Sequence, residues 1–274
     1  MAAPVVTQQK APAETHPPYP TYEALRAARQ WVRPAPTSGQ LLFWPLDGPL
    51  DTAISVMSSP SNPDAREPYY NQSTGTWHPV AKLPITEPKV SSITVHVSEL
   101  QDWEETWCDA HWDHSDPDAP DAFEGVEWGT LRNVNEDDER DDDGAEDGDD
   151  EGEGEGKPQL LRCCGMARPR GKDASVVVKP ARTDGEEDGG FVTVHDYLTV
   201  VHPWLMGLRG DILGAMGTMD GQDEPLGEDT DLMVNCNALD GLRMDTRDVW
   251  IRRRKGDPMC VLTWSVRELN GSSK

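Results

Sequence analysis

The chain has 274 residues, with 50 acids against 25 lysines and arginines and a formal net charge of −25. Of that charge, −22 lies between Asp102 and Gly156, where 24 acids face only Arg132 and Arg140, so the remainder carries −3. Such a field repels phosphate, which argues against direct nucleic-acid binding and against anionic membranes as partners.

Residues 1–20 are rich in Pro, Ala and Gln and read as a disordered tail. An amphipathic helix is expected over 21–33, with Tyr22, Leu25, Ala28 and Val32 on one face and Pro34 closing it. "QLLFWPLDGP" (40–49) reads as a strand ending in the Asp47-Gly48-Pro49 turn, and 51–76 as polar loop. "SSITVHVSEL" (91–100) alternates strictly, with Ile93, Val95 and Val97 on the buried side of a strand. Trp103 and Trp107 follow, one helical turn apart.

The acidic run "NEDDERDDDGAEDGDDEGEGEGK" (135–157) holds fourteen acids and two bases. Like charges at that density repel one another and bury no apolar surface to offset chain entropy, so 116–158 is expected to be a disordered insertion. Beyond it, "SVVVK" (175–179) reads as a strand. Thr193 and Asp196 have the spacing of a capping box at the start of a helix that Pro203 should stop or kink. "LMGLRGDILGAMG", with four glycines, suggests a short or broken second helix. "DLMVNCNAL", "DVWIRRRK" and "MCVLTWSVR" read as three strands, the last two joined by a Gly256-Asp257-Pro258 hairpin.

This order of elements lacks regular βαβ alternation. The expected fold is α+β: a mainly antiparallel sheet with one or two helices packed on one face. The expected domain is split, its first half over 39–115 and its second over 159–269, with the acidic insertion between them.

The five cysteines (Cys108, Cys163, Cys164, Cys236, Cys260) are an odd set with one adjacent pair, unlike a secreted disulfide framework. The N-terminus has no signal-peptide pattern and no run of eighteen apolar residues exists, so the expected location is cytoplasmic or nuclear rather than secreted. Cys108, His111 and His114 stand at three-residue intervals, and Cys, His and carboxylate together suit zinc. On a regular helix these positions drift around the surface, so ligation would need an irregular turn. The plainer reading is a polar linker, with no cofactor expected. Cys163-Cys164 lie near Arg162, Arg168, Arg170 and Lys172, which could lower a thiol pKa. His195 and Asp196, with Asp211 and Cys236 elsewhere, could form a catalytic dyad only if the fold gathers them.

The segments "LLFWPLDGP", "WHPVAKLPITEPKVSSITVHVSEL" and "FVTVHDYLTVVHPWL", in that order, resemble a fungal family of uncharacterised domains. "PITEP" (84–88) and "VTVHDYL" (192–198) stand at its second and third landmarks. The resemblance implies a domain identity and a fungal origin, and no chemistry.

The functional expectation is a non-enzymatic intracellular interaction module. Its electrostatic arm would be the acidic tract, with Asp137, Asp138, Glu139, Asp141, Asp142 and Asp143 meeting a basic protein partner. The alternative is a metal- or thiol-dependent enzyme using Cys108, His111 and His114, or Cys163 and Cys164.

Overall fold

The computed structural model describes residues 19–114, 125–130, 158–171, 174–181, 190–219 and 224–257. In chain order these form α1 (Tyr22–Ala27), β1 (Arg33–Pro34), β2 (Leu42–Phe43), α2 (Leu50–Ala53), β3 (Ser55–Met57), β4 (Arg66–Pro68), β5 (Tyr70–Asn71), β6 (Thr76–Trp77), β7 (Thr86–Glu87) and β8 (Ile93–Val97). Then come α3 (Ser98–Ala110), β9 (Glu127–Gly129), β10 (Gln159–Cys163), β11 (Met166–Ala167), β12 (Ser175–Val178), α4 (Val194–Gly207), α5 (Arg209–Met219), β13 (Leu232–Asn235), β14 (Gly241–Thr246) and α6 (Arg247–Arg254).

The principal sheet has the order β12-β8-β14-β13. Only the β8–β14 pair is parallel; the other ladders of the molecule's described sheets are antiparallel. The fold is α+β. Strand β8, from before the acidic run, lies between β12 and β14, both from after it. Its alternation places Ile93, Val95 and Val97 in the large core, together with Trp44 and Tyr197 and the helical residues Leu198, Val201 and Leu205. Where the parallel pairing begins, the His96 imidazole covers Gly241: a Cβ there would stand 2.9 Å from His96 Nε2 and push the ring aside.

Three aromatic groups of the large core have partners for their polar ends, as an apolar interior requires, whereas the buried Trp107 Nε1 has none among the described residues. Tyr197 donates its hydroxyl to the Leu239 carbonyl (2.7 Å), and Tyr22 to Asp240 (2.8 Å). The Trp44 indole donates to His202 Nδ1 (2.9 Å).

Helix α4 begins as its sequence dictates. The Thr193 hydroxyl accepts the Asp196 amide, and the Asp196 carboxylate accepts the Thr193 amide. Pro203 does not end it: the helix runs to Gly207, and α5 starts after Leu208 alone. Helix α1 is shorter than expected. Arg29 takes a left-handed φ of 56°, with its amide bonded to Arg26 and that of Gln30 to Leu25, which is a Schellman stop. Val32 is buried, but beyond the helix.

"DVWIRRRK" is a correction: it forms helix α6 rather than a strand. The helix has Asp248 in its first turn, three arginines in its last, and a Schellman stop at Gly256 (φ 76°). Its Trp250 packs with Phe43, Met57 and Met233, a cluster distinct from the one that takes Leu232 and Val234. The arginines are placed accordingly, Arg253 on the buried Asp245 (2.6 Å) and Arg254 over the Trp250 ring (4.8 Å). The hairpin expected at Gly256-Asp257-Pro258 is therefore replaced by a helix end, and "MCVLTWSVR" lies outside the described residues.

The stretch 51–76, read as loop, holds the short β3–β4 and β5–β6 ladders. Inside the expected insertion, β9 is ordered and pairs with β10. The acidic residues from Asp137 to Asp143, with the rest of 131–157, lie outside the described residues, as do 1–18. No helix among the described residues is long and apolar enough to cross a membrane.

Candidate functional site

Helix α3 carries Trp107 and Cys108 against β9 and β10, where a small cluster buries Trp107, Leu160 and Cys163. An ion pair joins the same elements: Arg168, just past β11, meets the nearly buried Glu104 of α3 at 2.8 Å. At the end of α3 the chain leaves regular helix. His111 caps it, with its amide on the Trp107 and Cys108 carbonyls, and a single 3-10 turn (Trp112–His114) follows. This irregular turn brings both imidazoles toward the β10–β11 hairpin.

In that hairpin Cys163 pairs with Met166, so the loop is Cys164-Gly165, with φ of 52° and 81°. Two successive positive φ values are the signature of a type I′ turn, whose twist matches the flanking strands. Adjacent strand residues ordinarily face opposite ways. The turn overrides this and sets the two sulfurs 3.7 Å apart, well beyond the roughly 2 Å of a disulfide bond.

His114 Nδ1 lies 3.0 Å from Cys163 Sγ and 3.5 Å from Cys164 Sγ. One donor atom each from His111, Cys163 and Cys164 fall within 4.8 Å of one another. The His111 Nδ1–H donates to the Trp107 carbonyl (2.7 Å), and the Trp107 ring lies 4.4 Å away, centre to centre. Cys163 and His111 are buried, whereas Cys164 is exposed. Burial, and then the neighbouring Cys164 thiol, push the Cys163 thiol above its ordinary range. That is the opposite of the activation a thiolate nucleophile needs.

Two residue sets that the sequence offered as alternatives thus share one place. His111 and His114 meet Cys163 and Cys164. Cys108 is not among the gathered donor atoms; it is half-buried and packs on the apolar cluster beneath. The spacing Cys108–His111–His114 is a helical surface spacing, and the helix ends before it can be used that way.

The paper dyad does not form. Asp196 is held by its capping box and by the Ala181 amide (3.1 Å). His195 instead meets the Tyr69 hydroxyl (3.2 Å) and the Trp77 ring. Cys236 is fully buried, and burial pushes its thiol up to about 12. A cleft lined by Pro49, Leu50, Thr199, Pro203 and Met206 offers no carboxylate or thiol. The His202 at its wall has both ring nitrogens engaged, Nδ1 by Trp44 and Nε2 by the Gly48 carbonyl (2.9 Å).

The end of β10 away from the cluster borders the acidic run. Gly129 of β9 pairs with Gln159 of β10, so residues 131–157 leave and rejoin the body at adjacent strands. That stretch contains fourteen acids and three bases, a net charge of −11. The chain matches no family model, no curated protein and no solved structure.

Proposed function

We propose that the protein is a non-enzymatic interaction module that offers its acidic tract to a basic protein partner. The observation that carries this is the Gly129–Gln159 pairing. It sets side by side the two strands that flank residues 131–157 in sequence, so the net charge of −11 is introduced at one place on the body. A charge concentrated in this way raises the local attraction for a polycation and steers its approach. Trp112, in the 3-10 turn after α3, is an exposed aromatic group. Aromatic side chains are enriched at interface centres.

The enzymatic alternative draws on the His/Cys cluster. Burial and the neighbouring Cys164 thiol raise the Cys163 thiol, which does not favour it as a nucleophile, and the cleft by His202 offers no carboxylate or thiol.

The test is a titration with a lysine-rich probe, purified core histones, against the whole chain and against a variant whose residues 136–156 are replaced by an equally long uncharged tract. Binding to the whole chain should weaken steeply with salt, since exposed charge pairing is screened over about 10 Å at 0.1 M. The uncharged-tract variant should bind roughly tenfold more weakly or worse. Equal affinity of the two proteins would end the proposal.

A further inference from the structure

We infer that His111, His114, Cys163 and Cys164 form a Cys2His2 zinc site that fastens the β10–β11 hairpin to the end of α3. This goes beyond the interaction reading and stands or falls without it.

The donor types come first. Two thiols and two imidazoles suit zinc and other soft or borderline transition ions, and not the oxygen-seeking magnesium or calcium. The spacing agrees. A tetrahedron with Zn–S of about 2.3 Å and Zn–N of about 2.0–2.1 Å has S···S edges of about 3.8 Å and S···N edges of about 3.6 Å. The sulfurs are 3.7 Å apart, and His114 Nδ1 is 3.5 Å from Cys164 and 3.0 Å from Cys163. Among the described residues, His111, Cys163 and Cys164 alone gather donor atoms within 4.8 Å of one another, and the His111 and His114 ring centres are 6.2 Å apart, so the two imidazoles must close on the ion.

Orientation agrees as well. A metal-ligating histidine commonly donates its other ring N–H to a carbonyl or carboxylate, which fixes the tautomer. His111 does this already. Its Nδ1–H is held by Trp107 O at 2.7 Å, leaving the lone pair of Nε2 as the ring's donor. The Trp107 ring, tilted 34° to it at 4.4 Å, packs against the imidazole and limits its turning.

The backbone supplies an independent sign. Cys164 occupies a left-handed φ of 52°, a conformation that costs a non-glycine residue on the order of 1 kcal/mol or more. A glycine at that turn position avoids the cost. The cysteine is accounted for if its sulfur is needed where the turn puts it, beside that of Cys163.

Four protein donors leave no open position, so the site is structural rather than catalytic. Its zinc would displace the two thiol protons to solvent and hold the sulfurs as thiolates. The need for it is local. Among the described residues, the apolar cluster between α3 and the hairpin buries Trp107, Leu160 and Cys163, with Cys108, Val126 and Trp128 partly buried against them, a small core for a three-stranded sheet. Metal ligation adds to the Glu104–Arg168 pair in holding that sheet on the body.

The test uses the purified whole chain. Zinc analysis should find about one ion per chain, and X-ray absorption at the zinc edge should find two sulfur and two nitrogen neighbours. Cobalt(II) in place of zinc should give the thiolate-to-cobalt charge-transfer band of a two-sulfur tetrahedral site. Cys163→Ser, Cys164→Ser, His111→Ala and His114→Ala should each weaken metal binding roughly tenfold or more, whereas Cys108→Ser should leave it unchanged. Failure of the unmodified chain to take up zinc or cobalt overturns the inference. So does a shell with any other sulfur count, or loss of the metal on Cys108→Ser. The spectra of the unmodified chain decide the matter even if a ligand variant does not fold.

Discussion

Glu99 and His202 are both buried titratable groups, and the fold treats them in opposite ways. His202 is satisfied at both ring nitrogens, and burial lowers its pKa, so it is held neutral as one tautomer. Protonating it would aim an N–H at the Trp44 N–H. Glu99, in the first turn of α3, accepts the Met244 amide through Oε1 (2.9 Å), while Oε2 has no partner among the described residues. Burial raises its pKa to about 7 from an ordinary 4.5. The folded state therefore binds this proton more tightly than the unfolded state does, and stability is lost as pH rises from about 4.5 through 7. Each pKa unit corresponds to about 1.4 kcal/mol, so the loss is roughly 3 kcal/mol. Glu99→Gln removes this contribution. Urea unfolding of the two proteins across that window should show the parent losing stability relative to the variant by that order. Parallel pH profiles would refute the assignment.

At the level of elements, the β10–β11 turn sets ligand geometry against backbone comfort. Cys164→Gly relieves the positive φ while removing one donor. With a strong chelator present, the variant should be as stable as the parent or slightly more so; with zinc present, it should lack the stabilisation the parent gains. Thermal unfolding in the two conditions reads this out. A chelated variant less stable than its chelated parent by more than about 1 kcal/mol would mean that the Cys164 side chain matters without metal.

The sequence showed such features unevenly. Strand β8 and the α4 capping box were legible because each is a local pattern, a period of two in one and a Thr-x-x-Asp spacing in the other. Helix α6 was misread because Trp250 is its one fully buried residue, too little to separate a period of 3.6 from a period of two. The better signals were its ends: Asp248 in the first turn, a basic last turn, and Gly256 after it. The stop of α1 was not legible, since Arg29 carries a left-handed conformation that its side chain does not advertise. Half of the ligand cluster was visible as His111 and His114, and the other half as Cys163-Cys164. Their meeting depends on β10 docking against α3 from 49 residues away, which no local spacing encodes.

For the whole molecule, the main sheet interleaves a strand from before the acidic run with strands from after it, while the run itself starts and ends at the β9–β10 pair. Residues 131–157 thus connect two strands of a small sheet in sequence, and the His/Cys cluster lies where that sheet meets α3. If a metal holds this junction, the sheet at the loop's root and the main sheet should respond differently to its loss. The direct measurement is amide hydrogen exchange of the whole chain with zinc and after chelation. Chelation should speed exchange across Gln159–Ala167 and the last turn of α3, and leave β8 and β14 as protected as before. Unchanged exchange around Cys163, or a uniform rise through every strand, would contradict the account.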